Sequence, residues 1–309
     1  MSDAHPDDEF HPPTSDDPYW TETCWFTFAV PERRLSGQLY PFFRTNQKVC
    51  AAAAYVWDET GDQPWNVRYA KNFWHLPIPD QPLSDITLAN GIRYRCLSPQ
   101  QSYELTYHDP DGDDLHIELT YEAVARPNYL GESHLDQPGR YRGTILLDGE
   151  EIAVDAYGFR DRSWGPRPQF GEGYGSSGYD YATAGPDHGF HTITMDFGQG
   201  YQSIHGYYMR DGVWAKVAAA TRTVVERHAS GFPARVEISG TDETGRSFEA
   251  EGRCLNHIAL HLNPNLFTVN SLTEWKLDGV DCFGEDHDNW SAPGARRFFR
   301  AHQAARRTF

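Results

Sequence analysis

The chain has 309 residues, and its 44 acidic side chains against 27 basic ones give a formal net charge of −17. A charge this negative argues against nucleic acid and anionic membranes as partners, because both bind to a basic face. No apolar run approaches the roughly 20 residues that a membrane-spanning helix needs, so we expect no membrane insertion.

Residues 1–18 are rich in Pro and Asp and predict an extended N-terminal arm. Over residues 19–157, runs of alternating apolar and polar side chains follow one another between turn residues, which is typical of antiparallel strands. Asp148-Gly149 separates two of these runs as a hairpin turn would. The same pattern resumes over residues 158–291, and residues 292–309 form a helix and tail, with the helix predicted over 293–307.

A weak internal repeat indicates two similar halves. GQLYPFFRTNQKVCAAAAYVWD and GYYMRDGVWAKVAAATRTVV both read as a strand, a turn and an Ala-rich strand. The sequence therefore predicts an all-β protein of two tandem antiparallel β-barrels or sandwiches, over 19–157 and 158–291, followed by a short C-terminal helix. Small barrels of this kind hold apolar ligands, so we expect a hydrophobic small molecule as the substrate.

The five cysteines are scattered, odd in number and without a Cys-x-x-Cys spacing, which predicts reduced thiols. Because the N-terminus is also acidic and unlike a secretory signal, we expect a cytoplasmic protein. The oligomeric state stays open, with a homodimer among the alternatives.

The stretch YGFRDRSWGPRP at residues 157–168 is the most unusual in the chain. Asp161 is either an acid beside an aromatic wall or part of a structural clasp with its neighbouring arginines, which would keep it ionised. In a regular strand, Asp161 and Ser163 share one face, while Arg160, Arg162 and Trp164 share the other. Burial of Asp161 would favour the acid, and pairing with an arginine would favour the clasp.

Several further side chains are candidates for chemistry or binding. In FHTITMDFG, an offset of five places His191 and Asp196 on opposite faces of an unbroken strand, so a bulge would be needed for both to serve one site. Tyrosines and histidines that face a barrel interior can bind a polar group of an apolar ligand, and a late carboxylate beside a tryptophan is another candidate acid. These candidate binding residues are Tyr179, Tyr181, His205, Tyr207, Glu274 and Trp275.

We predict neither a metal nor a cofactor. His257 and His261 have a spacing of four, but their context is a strand and no Glu-x-x-His accompanies them. Asp187 and His188 read as a turn rather than as ligands beside His191. A metal-dependent enzyme that uses a histidine cluster stays open as an alternative.

The Asp-Arg-Ser-Trp-Gly motif at 161–165 and the tandem β organisation resemble the two-domain lipocalin-like superfamily of carotenoid 1,2-hydratase and AttH-type proteins. The ending LTEWKLDGVDCFG is similar to that of uncharacterised bacterial members. The resemblance implies two lipocalin-like domains. The hydratases protonate an isolated alkene of a terpenoid and add water. Trp164 matches their tryptophan, Arg162 stands in place of their histidine, Thr194 in place of a tyrosine, and Asp196 matches an aspartate on the following strand.

These observations lead to a hypothesis of a cofactor-free acid–base enzyme that hydrates, dehydrates, isomerises or cyclises a terpenoid- or steroid-like alkene. Asp161 or Asp196 would be the acid, His191 would transfer the proton, and Trp164 would stabilise positive charge. Arg162 and the tyrosine and histidine candidates would bind the substrate. The first alternative is a carrier of an apolar molecule that performs no chemistry.

Overall fold

A computed structural model describes residues 5–167 and 175–306. Strands make up 64% of the structure and helix 8%, which confirms the predicted all-β class. All five cysteines are free thiols. No helix among the described residues is long and apolar enough to cross a membrane.

The chain divides into two compact units, Met1–Val56 with Arg68–Pro168, and Trp57–Val67 with Gln169–Phe309. The first unit contains three 3-10 turns, Pro6–Asp8, Pro31–Arg33 and Thr45–Gln47. Its strands are β1 (Trp20–Val30), β2 (Leu35–Arg44), β3 (Val49–Trp57), β4 (Tyr69–Pro77), β5 (Asp85–Thr87), β6 (Ile92–Ser98), β7 (Ser102–His108), β8 (Leu115–Ala123), β9 (Asn128–Tyr129), β10 (His134–Leu147) and β11 (Glu150–Pro166).

These strands form one antiparallel sheet in the order β4-β3-β2-β1-β11-β10-β8-β7-β6-β5, with β9 paired to β10. One face of the sheet carries the core, in which Phe26, Tyr103, Tyr121 and Tyr141 are buried. The first unit extends to residue 168, whereas the sequence placed the boundary at 157/158. The reason is that β11 pairs with β1 on one side and β10 on the other, so residues 157–166 of the motif are built into this sheet.

The second unit is a closed barrel followed by a helix. Its elements are β12 (Ser176–Gly185), β13 (His188–Asp196), β14 (Tyr201–Arg210), β15 (Val213–Arg227), β16 (Pro233–Asp242), β17 (Ser247–Cys254), β18 (Ile258–Asn263), β19 (Leu266–Leu277), β20 (Val280–Ser291) and α1 (Ala292–Arg306). The order is β17-β16-β15-β14-β13-β12-β20-β19-β18, and the additional β17–β19 pairing closes eight strands into a barrel. Phe190, Tyr208, Phe248 and Trp275 fill the barrel core.

Helix α1 lies close to the predicted range of 293–307, of which residue 307 is outside the described chain. Ser291 precedes it, and its Oγ accepts a hydrogen bond from the Gly294 N–H at 3.1 Å, which satisfies one of the unpaired amides of the first turn. Phe298 stacks on Trp290 with 4.6 Å between ring centroids. This aromatic contact holds the helix to the end of β20.

The described part of the N-terminal arm is packed against the first sheet. Asp8, in the turn Pro6–Asp8, is fully buried. Its Oδ1 accepts a hydrogen bond from the Tyr103 hydroxyl at 2.7 Å, and its Oδ2 accepts one from the Gln100 N–H at 3.0 Å. The arm is therefore a component of the first unit, because a buried carboxylate with these donors fixes its position.

Candidate functional site

Strand β11 alternates as a regular strand does, and this alternation separates the residues of the motif. Asp161 and Ser163 lie opposite Trp25 and Thr23 of β1, on the face of the sheet away from the core. Arg160, Arg162 and Trp164 therefore lie on the other face. Arg160 and Arg162 therefore point away from Asp161, because consecutive side chains of a strand lie on opposite faces.

Arg162 contacts the arm and the first strand, whereas Arg160 contacts β10 and β7. Arg162 donates from Nη2 to the buried Glu22 Oε2 at 2.7 Å and from Nη1 to the Asp7 carbonyl at 2.7 Å. Arg160 donates from Nε to Gln137 Oε1 at 2.7 Å, and its guanidinium lies 4.3 Å from the centroid of the Tyr103 ring. Arg162, proposed from the sequence as a substrate-binding residue, is thus a buried ion-pair partner of Glu22.

Trp164 packs on the arm. Its ring stacks on His11 with 3.9 Å between centroids and 8° between planes, and His11 Nδ1 lies 3.1 Å from Glu22 Oε2. Since Trp164 is on the face opposite to Asp161, the structure does not bring these two candidate catalytic residues together.

Asp161 instead faces a second carboxylate and an imidazole. Asp136 of β10 is its direct partner across the sheet and is fully buried. His134, two residues earlier on β10, places Nε2 2.9 Å from Asp136 Oδ2. One ligand-type atom from each of the three side chains lies within 4.8 Å of the others. We call His134, Asp136 and Asp161 the acid–base cluster.

The charges in this cluster influence one another. Burial lowers the pKa of His134, but the carboxylates of Asp136 and Asp161 oppose this effect, and the pKa is raised overall. The Trp25 side chain lies beside Asp161 and donates from Nε1 to Gln38 Oε1 at 2.9 Å, which fixes its ring. The arrangement holds exchangeable protons next to an aromatic surface. Two carboxylates and an imidazole are also ligands that a divalent cation accepts.

The second unit carries a separate group of aromatic and imidazole side chains on the barrel face away from its core. His191 of β13 is central: ring centroids of Tyr179, His205 and Tyr207 lie 4.7, 5.8 and 6.0 Å from its own. Tyr179 also stacks on His287 of β20 at 5.3 Å. We call Tyr179, His191, His205, Tyr207 and His287 the His–Tyr cluster.

Two further side chains share this face. Tyr181 is the direct cross-strand partner of both His191 and Glu285. Glu285 Oε2 lies 2.7 Å from His287 Nε2, so a carboxylate orients one imidazole of the cluster. The structure therefore brings together four predicted binding residues and His191, all of which came from period-two patterns in the sequence.

Asp196 lies apart from His191. Strand β13 is regular between them, and the irregularity in its pairing with β14 falls on the partner strand, which passes from His205 to Ser203 while β13 advances by one residue. Asp196 Oδ1 accepts hydrogen bonds from the backbone N–H groups of Gly198 at 2.7 Å and Gly200 at 3.1 Å. This carboxylate therefore closes the turn after β13.

Glu274 and Trp275 of β19 lie on opposite faces. Glu274 forms an exposed ion pair with Arg253, whose Nε lies 3.1 Å from Glu274 Oε2. Trp275 is fully buried in the barrel core, with its ring centroid 5.3 Å from that of Phe190. Neither contacts the His–Tyr cluster through a described ring contact or hydrogen bond.

The sequence reasoning did not single out a network of charges inside the barrel. Arg222 of β15 donates from Nη2 to Asp286, its Nε lies 3.3 Å from Asp180 Oδ1, and its Nη1 lies 3.5 Å from Asp288 Oδ1. Arg227 Nη1 lies 2.6 Å from Asp288 Oδ2. The side chains of Arg222 and the three aspartates are fully buried.

The protonation of this network follows from its geometry. Burial and the charge of the directly opposite Asp286 raise the pKa of Asp180 well above its ordinary value, despite Arg222. For Asp286, burial raises the pKa, but Arg222 and the hydrogen bond with Asp180 outweigh it, so the pKa is lowered. Oδ2 of Asp180 and Oδ2 of Asp286 lack another donor among the described residues. A proton held by Asp180 can be shared with Asp286, because the two residues are direct partners across β12 and β20 and a hydrogen bond between their carboxyl groups contributes to both pKa shifts.

Sequence reasoning missed His134, Asp136, Glu285 and His287 as well. The signal was present as period-two pairs, His-x-Asp at 134–136 and Glu-x-His at 285–287, which place both members on one face of a strand. These pairs identify a site only once the strand register is known, because the pairing of β10 with β11 is what places Asp136 opposite Asp161.

Comparison with known proteins gives a family and a fold. A sequence model of the family described as a domain of unknown function (DUF7064) matches residues 4–290. No curated protein matches the chain.

Solved structures share the fold at low sequence identity. An AttH-like protein from Nitrosomonas europaea has a TM-score of 0.60 at 12% identity, over 88% of this chain and 91% of the other. CghA, solved with Sch210972, has a TM-score of 0.56 at 12% identity, over 89% of each chain. Kievitone hydratase from Nectria haematococca has a TM-score of 0.55 at 9% identity, over 91% of this chain and 90% of the other. These matches confirm the predicted resemblance to the two-domain lipocalin-like superfamily at the level of the fold.

Proposed function

The chain belongs to the DUF7064 family of domains of unknown function, and we propose that it is a cytoplasmic, cofactor-free enzyme that performs acid–base chemistry on an alkene of a hydrophobic, terpenoid- or steroid-like molecule. The likeness of its fold to a kievitone hydratase supports the reaction class. Hydration or dehydration is the reaction that we favour, with isomerisation and cyclisation as variants of the same first step.

The observation that carries this proposal is the acid–base cluster. Asp161 and Asp136 are directly opposite each other across β10 and β11, and His134 lies 2.9 Å from Asp136. Two carboxylates this close disfavour simultaneous ionisation, so one of them retains a proton at a pH where an isolated aspartate has lost it. We propose that Asp161 carries that proton, because the His134 imidazole 2.9 Å from Asp136 favours the ionised form of Asp136.

The proposed reaction uses these groups in turn. The alkene π electrons take the proton of Asp161, which leaves a carboxylate on Asp161 and a carbocation on the substrate. The ring of Trp25, beside Asp161, stabilises the cation. Water adds to the cation, and the Asp136–His134 pair accepts the proton that the water releases. Return of this proton to Asp161 restores the starting state, and the reverse sequence is dehydration.

Turnover in deuterated water tests the proposal. Small molecules that co-purify with the protein are first identified by mass spectrometry, and the best candidate alkene is then incubated in D₂O. Protonation at carbon places deuterium on the product. We expect Asp161→Asn and Asp136→Asn each to lower the rate by about a hundredfold or more, since general acid–base catalysis typically contributes about 10² to 10⁴.

Asp155→Asn is the matched control. Asp155 lies on the same strand, but it is exposed and its carboxylate accepts a hydrogen bond from Arg140 Nε at 2.6 Å. Its variant should keep wild-type turnover. Full turnover in both Asp161→Asn and Asp136→Asn would show that the mechanism is wrong.

A carrier of an apolar molecule is the second candidate function, and the His–Tyr cluster favours it. Its hydroxyl and imidazole groups can hydrogen-bond a polar group on a bound molecule without any chemistry. A carrier would release its ligand intact and without deuterium after long incubation in D₂O, whereas the enzyme would not.

A further inference from the structure

A groove of about 570 Å³ lies along helix α1 in the second unit. It is lined by Phe232, Phe267 and Phe299, by Arg296 and Arg300 of the helix, and by His261 and Asp62. We call it the helix groove. Its size falls within the range of small-molecule sites. Its residues differ from those of the acid–base and His–Tyr clusters, so the inference does not rest on the proposed function.

The apolar part of the groove is a fixed surface. The Phe299 ring centroid lies 5.8 Å from that of Phe232 and 5.5 Å from that of Phe267. Gly231 lets the helix approach this closely: its φ is +96°, and a Cβ there would lie 3.0 Å from the Phe299 ring. The three phenylalanines therefore provide a preformed apolar surface for a ligand.

The polar part of the groove is cationic. Arg296 and Arg300 are four residues apart and so lie on one side of the helix. Both are exposed, and neither has an ion pair or hydrogen bond within the described ranges. Two guanidinium groups without an acidic partner among the described residues are unexpected in a chain with 44 acidic side chains against 27 basic ones. Asp62 is the acidic side chain among the lining residues, so the lining has a net positive charge.

We propose that the helix groove binds an amphipathic carboxylate, a small molecule with an apolar body and one acidic end. The body lies on Phe232, Phe267 and Phe299, and the carboxylate accepts hydrogen bonds from Arg296 and Arg300. The planar guanidinium matches a carboxylate in geometry and charge, which gives the groove its preference for an acid over a neutral molecule of the same shape.

Fluorescence titration with dansylaminoundecanoic acid tests this site, with the methyl ester of the same compound as the neutral probe. The test variant is Arg296→Gln with Arg300→Gln. The matched control is Arg297→Gln with Arg306→Gln, two other exposed arginines of the same helix that do not line the groove. All four positions are on the surface, and thermal unfolding verifies that each variant is folded.

We expect the wild type to bind the acid saturably, and the test variant to raise its Kd by about tenfold or more through loss of the charge-assisted hydrogen bonds. The control should stay within about twofold of the wild type, because Arg297 and Arg306 do not line the groove and exposed charges without a direct contact to the ligand are screened by salt. The ester should bind more weakly than the acid, and equally in all three proteins. Phe232→Ala should weaken the binding of both probes. Equal Kd values in the test and control variants, equal binding of acid and ester by the wild type, or no saturable binding would each overturn the proposal.

Discussion

Replacement of Asp180 by Asn should leave the barrel at least as stable as before, although it removes a fully buried aspartate. In the network around Arg222, this arginine contacts Asp180, Asp286 and Asp288, and Arg227 contacts Asp288. Burial raises the pKa of Asp180 well above its ordinary value, so we expect this aspartate to carry a proton. Asn is a neutral isostere of the protonated acid, and its amide can donate to Asp286 as the shared proton does. The substitution therefore leaves the net charge of the network unchanged.

The expected change in the free energy of unfolding depends on which buried groups each substitution leaves without a partner. At a pH close to 3.8, the ordinary value for an aspartate, protonation of Asp180 costs little. Asp180→Asn then exchanges one buried hydrogen bond for another, so at that pH we expect a change in the free energy of unfolding within about 1 kcal/mol. Arg222→Met removes the central cation and leaves Asp286, which the structure pairs with Arg222, without compensation. Breaking a buried ion pair in this way costs about 3–5 kcal/mol. We therefore expect the free energies of unfolding of the two variants to differ by several kcal/mol.

The pH dependence gives an independent check. Because the pKa of Asp180 is raised, the folded protein binds more protons at this site than the unfolded chain does above the ordinary value of 3.8. The contribution of Asp180 to the free energy of unfolding therefore decreases as the pH rises. Asp180→Asn removes that dependence, so its stability relative to the wild type should improve between about pH 5 and pH 8.

Urea unfolding followed by tryptophan fluorescence and circular dichroism measures both effects at each pH. The two probes should agree if the second unit unfolds in one step. A loss in Asp180→Asn as large as that in Arg222→Met would show that Asp180 is ionised, and the shared proton would then be wrong. A relative stability of Asp180→Asn that falls as the pH rises would refute the assignment as well.

Two further predictions concern the first unit. Asp8→Ala should lower the free energy of unfolding by about 3 kcal/mol, because the Tyr103 hydroxyl and the Gln100 N–H lose a buried acceptor; a change below about 0.5 kcal/mol in urea unfolding would contradict the packed arm. A chelator should leave turnover unchanged, with elemental analysis finding no stoichiometric metal. One equivalent of a divalent metal that is lost in His134→Ala would instead assign the acid–base cluster to metal binding.

The all-β class of the protein could be predicted from local patterns in the sequence. Period-two alternation and turn residues predicted strands, and the helix was predicted within a few residues of Ala292–Arg306. The turn at Asp148-Gly149 has positive φ at both residues, 53° and 80°, as its sequence indicated. These features depend on side-chain periodicity and backbone sterics, which are properties of short segments.

The face of a strand on which each side chain lies could also be predicted, because it depends only on the local alternation of side chains. Alternation placed Asp161 and Ser163 on one face and Arg160, Arg162 and Trp164 on the other, and the structure has this arrangement. It also grouped His205 with Tyr207 and Tyr179 with Tyr181. Face membership within one strand needs no knowledge of the neighbouring strand.

Which side chains on neighbouring strands these residues contact was decided only by the tertiary structure. Pairing of β11 with β10 brings Asp136, 25 residues earlier, opposite Asp161. Pairing of β12 with β20 brings Asp286 opposite Asp180, with Arg222 between them. The register of two paired strands depends on contacts between residues that are far apart in the sequence, because it is set by which faces are buried together. Many alternative registers fit the local pattern of one sequence about equally well.

Thus the sequence by itself determined the strands, the helix and the side of each strand on which a charged residue lies. The tertiary structure determined which charges meet. The physical reason is that a carboxylate acquires its chemistry from groups within a few ångströms, and in a sheet those groups belong to strands that are distant along the chain.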